Sequence, residues 1–257
     1  MRTKLNGSVV FITGASAGIG EACAFAFAAE GAKLLLAARR VEKLETMRAK
    51  LKEAGAADVH AFGLDVQDRA AVKKAIAGLP EEWRAIDVLV NNAGLSRGLD
   101  KLHEGDVQDW EEMIDTNVKG LLYVTRAVVP EMVKRGRGHV INLGSTAGEI
   151  TYPKGAVYCA TKAAEKAISD GLRQDLLGTP VRVTSVDPGM VETDFSVVRF
   201  RGDEGRAAKV YQGLIPLKPE DVADAIVWAS TRPAHVNIAR IGITTIDQAN
   251  SLLFNRS

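Results

Sequence analysis

A tyrosine and a lysine four residues apart, Tyr158 and Lys162, are the residues of this chain best suited to proton transfer. Their spacing places both side chains on the same face of a helix. A phenol with its ordinary pKa of about 10 is a poor base at neutral pH, but a neighbouring ammonium favours the phenolate. Such a tyrosine can donate a proton to a carbonyl oxygen or accept one from a hydroxyl. The pair therefore predicts acid–base chemistry on a carbonyl or an alcohol.

Two other polar residues fit the same chemistry. Ser145 precedes the tyrosine by thirteen residues, at the end of a predicted strand, where its hydroxyl can hydrogen-bond the reacting oxygen. Asn117, in the stretch IDTNVKG, can hold a water molecule that connects Lys162 to solvent. A tyrosine and a lysine at this spacing also occur by chance on amphipathic helices. The prediction therefore depends on finding these residues together with a cofactor site.

A glycine-rich stretch near the start of the chain, TGASAGIG at residues 13–20, predicts such a site. It follows an apolar run and opens a predicted helix. Glycine lets the backbone turn tightly and approach a pyrophosphate without a Cβ in the way, and the helix N-terminus supplies free N–H groups and partial positive charge. The spacing of Gly14, Gly18 and Gly20 differs from the G-x-G-x-x-G fingerprint. The strand–loop–helix context favours a dinucleotide over a glycine turn without a ligand.

The residues after the second predicted strand select the dinucleotide. An acid at this position binds the ribose 2′-hydroxyl of NAD, whereas an arginine accommodates the 2′-phosphate of NADP. Here the sequence has Arg39 and Arg40. A guanidinium pairs with a phosphate through several N–H donors, and Ser16 can add a hydroxyl to the same phosphate. The interpretation is an NADP(H) site; the alternative is that both arginines only begin a charged helix.

Short apolar runs alternate with helical patterns along the chain, which is typical of a parallel sheet covered by helices on both faces. The predicted strands are 8–13, 33–38, 59–64, 87–91, 138–143, 181–186 and 240–246. The predicted helices are 18–30, 41–54, 68–78, 107–135, 156–177 and 219–230. We expect an α/β fold of the Rossmann-type doubly wound class, as one domain over residues 1–257. Residues 190–218 interrupt the alternation after a strand and are expected to form a substrate lid.

Composition restricts the function further. The chain has 257 residues, a net charge of +1 and 25% charged residues, so charge gives no argument for a nucleic-acid or membrane partner. No signal peptide or run of about 18 apolar residues is apparent, and the four histidines fit no metal-ligand spacing. Cys23 and Cys159 are expected to be buried or partly buried free thiols. Together these features predict a cytoplasmic protein without a metal.

The motifs, taken in order, resemble those of the short-chain dehydrogenase/reductase family. The matching stretches are TGASAGIG (13–20), Leu64-Asp65-Val66, NNAG (91–94), Asn117, Ser145, Tyr158, Lys162 and Pro188-Gly189. The resemblance implies a seven-stranded parallel sheet, hydride transfer with a nicotinamide cofactor, and usually a tetramer. It also implies roles for residues outside the patterns above. Asp65 and Val66 would lie near the adenine; Ile19, Asn91, Ala93 and Gly94 beside the cofactor; and Pro188, Gly189, Val191 and Thr193 around the nicotinamide.

Three longer stretches, residues 109–133, 191–212 and 219–238, resemble one subgroup of that family. This subgroup is the bacterial NADP-dependent 3-hydroxy acid dehydrogenases, also described as serine or allo-threonine dehydrogenase and as malonic semialdehyde reductase. The resemblance implies a small 3-hydroxy acid, such as serine, or the matching semialdehyde as substrate. Alternatives are a reductase of another small polar aldehyde, such as sulfoacetaldehyde, a broad carbonyl reductase, or a non-catalytic NADP-binding regulatory protein. The last would be expected to lack the serine, tyrosine or lysine.

A 3-hydroxy acid needs a cationic partner for its carboxylate near the reacting carbon. Candidates in the sequence are Arg97, Lys154, Arg199 and Arg201, and Arg199 in the expected lid is the favoured hypothesis. An exposed ion pair with Asp203 or Glu204 is the alternative for the two lid arginines. Glu149 could instead bind the amino group of serine, or could be an ordinary loop carboxylate.

Overall fold

The computed structural model describes residues 4–256, and its centre is one seven-stranded parallel sheet. The strands are β1 (Val9–Thr13), β2 (Lys33–Ala38), β3 (Asp58–Gly63), β4 (Ile86–Asn91), β5 (Gly138–Leu143), β6 (Val181–Pro188) and β7 (Arg240–Ile243). Their order across the sheet is β3-β2-β1-β4-β5-β6-β7. This order reverses direction between the neighbouring strands β1 and β4, and such a switch point opens a crevice at the carboxyl ends of the strands. All seven predicted strands, and the α/β class, are confirmed.

Both faces of the sheet are buried, which is why its strands are almost continuously apolar. Side chains alternate between the faces along each strand. In β1, Val10 and Ile12 pack into one hydrophobic core, whereas Val9 and Phe11 pack into the other. The chain can fill two cores because every central strand supplies apolar side chains in both directions.

Ten α-helices are found in the described part of the chain. They are α1 (Gly18–Ala29), α2 (Val41–Glu53), α3 (Arg69–Ala77), α4 (Glu81–Arg84), α5 (Val107–Ile114), α6 (Leu121–Arg135), α7 (Ala156–Asp175), α8 (Phe195–Arg199), α9 (Glu204–Lys209) and α10 (Pro219–Ser230). Phe27 of α1 and Ile226 of α10 pack in the first core. Val72 of α3 and Met132 of α6 pack in the second. The helices therefore cover both faces, as in a doubly wound fold.

The helix predicted over 107–135 is wrong in one respect, because it is not continuous. A π-helical segment, Asp115–Gly120, separates α5 from α6. It carries Asn117, and π-helical turns inside α-helices occur frequently at functional sites. Gly120 lies at the end of this segment, where a Cβ would come within 2.7 Å of Val66 Cγ2. Apolar periodicity could not reveal the interruption, since the pattern continues through it.

Other differences concern the ends of elements and two small helices. Strand β6 continues to Pro188, and β7 ends at Ile243 rather than at residue 246. The segment 190–218 contains α8 and α9, and its two ends are joined by hydrogen bonds between Glu192 N and Leu217 O, 2.8 Å, and between Leu217 N and Met190 O, 2.9 Å. The segment therefore leaves the end of β6 and returns to the same place, so that its two ends lie side by side.

The remaining expectations on single residues can be compared directly. Cys23 and Cys159 are both buried free thiols, as predicted. His139 is buried in β5, where its Nε2 lies 2.7 Å from Thr184 Oγ1. This histidine therefore contributes to packing of the sheet rather than to a metal site. Among residues 4–256, no group of three or more potential ligands from His, Cys, Asp and Glu is arranged to hold a metal ion. None of the helices described combines the length and apolar character needed to span a membrane.

Candidate active site

A cleft of about 380 Å³ opens at the carboxyl ends of the strands, over the switch point between β1 and β4. Most of the residues selected from the sequence line it. These are Gly14, Ser16, Gly18, Ile19, Arg39, Arg40, Asp65, Val66, Ala93, Gly94, Ser145, Tyr158, Lys162, Pro188, Gly189, Val191 and Thr193. Residues from seven separate stretches of the chain therefore meet in one site, and its volume is that of a small-molecule pocket.

The glycine loop between β1 and α1 requires its glycines for two different reasons. Gly14 and Gly18 have φ values of +65° and +57°, a left-handed conformation that other residues adopt at a cost. Gly20 has no such constraint, but a Cβ there would overlap Gly14 O and the amide of Asn92. The loop can therefore fold back on the start of α1 and leave backbone N–H groups facing the cleft.

Two residues that the sequence reasoning did not select hold this loop in place. Asn92 Nδ2 donates hydrogen bonds to Thr13 O at 2.9 Å and to Gly14 O at 3.1 Å. Thr13 Oγ1 accepts from Asn92 N and from Ala93 N, both at 3.1 Å. The threonine begins TGASAGIG and the asparagine is the second residue of NNAG, so both motifs contained the signal. These bonds link the loop to the end of β4.

The end of the cleft next to β2 is built to receive an anion. Arg40 Nη2 donates to Ser16 Oγ at 3.3 Å, and Arg39 lines the cleft beside them. Both arginines are exposed, whereas Ser16 is buried. The sequence prediction that these three residues share one site is thus matched by their positions.

The loop after β3 lines this end of the cleft, and the loop after β6 lines the opposite end. Asp65 Oδ1 accepts a hydrogen bond from Gln67 N at 3.0 Å, which fixes the turn that carries Val66 into the cleft. At the opposite end, Thr193 approaches the glycine loop. A Cβ on Gly18 would lie 3.2 Å from Thr193 Cγ2. The loop after β6 therefore closes the far end of the same cleft.

Tyr158 and Ser145 face each other in the middle of the cleft. The side chain of Ser145 is within hydrogen-bonding reach of the Tyr158 phenol, and burial raises the pKa of that phenol, while Arg199 and Ser145 act to lower it. Ser145 Oγ also accepts from Ala147 N at 3.1 Å, in the single 3₁₀ turn that follows β5. This bond fixes the serine rotamer. A reacting oxygen placed between these two hydroxyls would be hydrogen-bonded by both.

Lys162 lies one turn beyond Tyr158 on α7, as the four-residue spacing predicts. Its ammonium donates to Leu143 O at 2.7 Å. The residue is 8% exposed, and this burial lowers its pKa, with the carboxyl groups of Glu165 and Asp187 opposing the shift. A buried ammonium needs such partners. The lysine is consequently a buried cation held at the end of β5 by the Leu143 carbonyl.

Asn117 lies behind the cleft rather than in its wall. Its Nδ2 donates to Leu95 O at 2.8 Å and to Thr161 Oγ1 at 3.0 Å, and its Oδ1 accepts from Leu95 N at 2.9 Å. Gly94 separates it from the lysine. A Cβ on Gly94 would lie 3.3 Å from Asn117 Oδ1 and 3.8 Å from Lys162 Nζ. The π-helical segment thus brings the asparagine close to the lysine across a residue without a side chain.

Arg199, at the end of α8, lies beside the tyrosine and is not itself among the residues that line the cleft. Its guanidinium carbon is 5.3 Å from the centre of the Tyr158 ring. It donates from Nε to Ser96 Oγ at 2.9 Å and from Nη2 to Tyr152 OH at 2.7 Å. Burial raises the pKa of Tyr152 to about 12, so this phenol stays neutral. Tyr152 was not selected from the sequence, because an isolated tyrosine in a loop carries no pattern.

Of the four other candidates for substrate contact, Lys154 lines a smaller cavity beside Tyr158 rather than the cleft, and the remaining three are engaged elsewhere. Glu149 forms an ion pair with Arg240 and does not line the cleft. Arg201 pairs with Asp109, and Arg97 pairs with Glu112. These positions favour Arg199 over the other two arginines as a partner of a bound ligand.

Asn91, expected beside the cofactor, is instead turned toward β5 and α6 and does not line the cleft. Its Nδ2 donates to Asn142 Oδ1 at 2.8 Å and to Thr125 Oγ1 at 3.0 Å. The cleft is lined by the next residue, Asn92. Successive side chains of a strand point to opposite faces, so only one of two adjacent asparagines can face the cleft.

Comparison with known proteins agrees with this geometry. The family model of the short chain dehydrogenases matches residues 8–203, and the chain belongs to that family. It is 50% identical over 242 residues to the NADP-dependent 3-hydroxy acid dehydrogenase of Salmonella typhi, which covers 94% of this chain and 96% of the relative.

A second curated relative and a solved structure extend this likeness. The serine 3-dehydrogenase of Rhizobium radiobacter is 42% identical over 240 residues, covering 93% of this chain and 94% of the relative. Among solved structures, the closed form of serine dehydrogenase complexed with NADP+ superposes with a TM-score of 0.91 at 48% identity. That match covers 97% of this chain and 99% of the other.

Proposed function

We propose that this chain is an NADP-dependent oxidoreductase that moves a hydride between the nicotinamide and the 3-hydroxyl carbon of a small 3-hydroxy acid, such as serine, or reduces the matching semialdehyde. The observation that carries the substrate class is the position of Arg199 beside the Tyr158 ring. The two curated relatives above, a 3-hydroxy acid dehydrogenase and a serine 3-dehydrogenase, support the same assignment.

The residues of the cleft fit NADP(H) at three places: the pyrophosphate, the 2′-phosphate and the nicotinamide. A Cβ on Gly14 would lie 2.9 Å from Ala93 Cα, so the loop that would bind the pyrophosphate can pack this closely against NNAG only with glycine. Arg39, Arg40 and Ser16 would hold the 2′-phosphate. The segment Pro188–Thr193, at the other end, would surround the nicotinamide. When bound, the cofactor supplies or accepts the hydride; the protein residues handle the proton.

The proton chemistry is assigned to three side chains. In reduction, Tyr158 gives its phenolic proton to the carbonyl oxygen, and Ser145 donates a hydrogen bond to the same oxygen. In oxidation the tyrosine accepts the proton of the alcohol. Lys162, a buried cation one turn away, would stabilise the phenolate and would hold a ribose hydroxyl of the cofactor. Asn117 keeps the segment beside Lys162 in place, where a water molecule would connect the lysine to solvent.

Arg199 supplies the selectivity in this proposal. A 3-hydroxy acid has its carboxylate two carbons from the reacting carbon, so its anionic group must lie a few ångströms beyond Tyr158. The guanidinium is fixed there by Ser96 and Tyr152, with an N–H group left to pair with a substrate oxygen. The segment 190–218 that carries it would act as the lid, held down by the hydrogen bond from Gly98 N to Arg199 O at 3.1 Å.

The same arginine supports a second candidate. A sulfonate is also a small anion with several acceptor oxygens, so a sulfonated aldehyde such as sulfoacetaldehyde would fit the same position. A broad carbonyl reductase would make less use of a fixed guanidinium. A non-catalytic role is disfavoured, because Ser145, Tyr158 and Lys162 are all present and all line the cleft.

Assembly and location form the last part of the proposal. We propose a homotetramer in the cytoplasm, by analogy with the family. Exposed apolar side chains at Leu122 and Trp228, on the outer helices α6 and α10, support subunit packing.

The experiment is a substrate panel: NADP+ reduction with L-serine, L-allo-threonine, 3-hydroxypropionate, 3-hydroxybutyrate and isethionate, each repeated with NAD+. Turnover of serine or the 3-hydroxy acids, with NADP+ strongly preferred, is the expected result. Turnover of isethionate alone would move the assignment to sulfonated aldehydes. An absence of turnover with all five, despite tight NADPH binding, would refute the proposed substrate class.

A further inference from the structure

A buried carboxyl group that no step above uses lies on the same helix as the proposed catalytic pair, about one turn further along. Glu165, three residues after Lys162 on α7, is only 1% exposed. Its Oε1 accepts a hydrogen bond from Ser169 Oγ at 2.7 Å, and Ser185 Oγ lies 3.4 Å from both of its carboxyl oxygens. Glutamate is almost never fully buried without a partner. Ser169 is a donor to Glu165, which suits an ionised carboxylate, whereas the Ser185 hydroxyl lies closer to Asp187 Oδ1, at 2.8 Å, and gives its single proton there.

The strand end above Glu165 is shaped around this carboxyl group. Gly144 is buried, and a Cβ there would lie 2.6 Å from Glu165 Oε2 and would overlap Asp187 Oδ1. The residue before it, Leu143, accepts the hydrogen bond of the lysine ammonium. The residue after it is Ser145. Three consecutive residues thus connect the two carboxyl groups, the lysine and the catalytic serine.

The charges around Glu165 come from three elements. On its own helix it faces Lys162, with Tyr158 beyond; on β6 it faces Asp187. Asp187 is already paired with Arg240 of β7. The cation that acts on Glu165 is Lys162, on which Asp187 also acts. Burial raises the pKa of Glu165, and Lys162 and Ser169 oppose that shift.

Two arginines further away, Arg240 and Arg199, also affect the charge balance around Tyr158 and Lys162. Arg240 binds Glu149 in addition to Asp187. Its guanidinium therefore offsets the negative charge of the carboxyl groups on the β7 side of Glu165. Arg199 faces the Tyr158 ring from the lid and lowers the pKa of the phenol, against the effect of Glu165. The tyrosine and lysine thus lie between a cation on the substrate side and a carboxyl group on the protein side.

We propose that Glu165 is a positioning residue that holds a proton on the Tyr158–Lys162 pair. The proposal rests on the assignment of that pair as the proton-transfer residues. A nearby negative charge stabilises the ammonium and destabilises the phenolate. It therefore raises the pH at which the pair, as one coupled unit, loses its proton, whichever member gives it up. Carbonyl reduction needs the protonated pair, so Glu165 extends reductase activity toward alkaline pH.

The test is the pH dependence of Glu165→Gln, which keeps the size and hydrogen-bonding capacity of the side chain but removes its charge. We expect the alkaline limb of kcat/KM for carbonyl reduction with NADPH to move to lower pH by about 1 unit. The acid limb for alcohol oxidation should move in the same direction. Glu131→Gln is the matched control, since that carboxylate is exposed on α6, and both limbs should coincide with those of the wild type.

A second variant and a second readout make the result decisive. Asp187→Asn removes the other carboxylate and should move the limbs in the same direction, by less, because Arg240 already offsets it. Ultraviolet titration of tyrosinate, with Tyr158→Phe subtracted, reports the same shift without a substrate. If no substrate were turned over, the proposed function would fail, while this titration would still decide the role of Glu165. Limbs and titration unchanged in a folded, NADPH-binding Glu165→Gln variant, or in Glu165→Ala if the first does not fold, would overturn the proposal.

Discussion

Replacing Arg40 by alanine should change the coenzyme preference without changing the chemistry. Arg40 donates to Ser16 Oγ, and together with Arg39 it lines the end of the cleft assigned to the 2′-phosphate. A hydrogen bond to a charged group contributes about 1.5–3 kcal/mol. The side chain is exposed, so water weakens the interaction toward the lower half of this range. Because about 1.4 kcal/mol corresponds to a tenfold change, kcat/KM for NADPH should fall by about 10–30-fold.

The assay compares NADPH with NADH on the same carbonyl substrate. NADH has no 2′-phosphate, so its kcat/KM should stay within about twofold of the wild type, which is a change below about 0.5 kcal/mol. Lys50→Ala is the control, because it removes an exposed cation from α2 outside the cleft and should leave the preference unchanged. An equal loss with both coenzymes, or no loss with NADPH, would refute the assignment of this end of the cleft.

Three other predictions follow from the geometry. Arg199→Ala should raise KM for a carboxylate substrate by about tenfold or more, because a charge-assisted hydrogen bond is lost, and should have little effect on KM for a neutral carbonyl substrate. Steady-state kinetics on both substrates checks this, and equal increases in KM would contradict it. Gly144→Ala should lower the free energy of unfolding by several kcal/mol, since a Cβ there overlaps Asp187 Oδ1 and crowds Glu165 Oε2; denaturant unfolding measures it. Burial holds the pKa of His139 well below its usual value. Its contribution to stability is therefore present above pH about 6.5 and is lost as the pH falls below it, by up to about 1.4 kcal/mol per pH unit. His139→Asn should flatten that part of the stability curve, and an unchanged slope would count against this explanation.

The fold could be read from the sequence because its signals are local and repeated. Buried parallel strands are short, branched and apolar, and the helices between them are long enough to recognise. The π-helical segment at Asp115–Gly120 could not be predicted. Gly120 at its end packs against Val66, a contact between segments more than fifty residues apart that no local pattern reveals.

The candidate site was predictable where a motif fixes the backbone and less so where a side chain has several possible partners. The glycine loop, Tyr158 and Lys162 all line the cleft as expected. Glu149 was a possible substrate residue in the sequence, but Arg240 of β7 binds it instead. Asn91 and Asn92 differ only in the face to which each points, which depends on the exact register of β4.

Residues that act by positioning other side chains were the hardest to predict from the sequence. Tyr152 fixes the guanidinium of Arg199, and Glu165 lies below Lys162, but neither belongs to a pattern along the chain. A glutamate on a helix is most often solvated. Only the three-dimensional packing, with Gly144 leaving room for its carboxyl group, gives it a position in the site.

The most direct test of the central claim is the activity of Tyr158→Phe alongside its affinity for NADPH. The variant loses only the phenolic hydroxyl, so the cleft and its anion-binding end stay in place. General acid–base catalysis contributes about 10²–10⁴-fold, and we predict a loss of kcat of that size in both reaction directions, with NADPH binding within about threefold of the wild type, below about 0.7 kcal/mol. A variant that binds NADPH normally and keeps most of its turnover would contradict the account, because the proton would then have to come from another group.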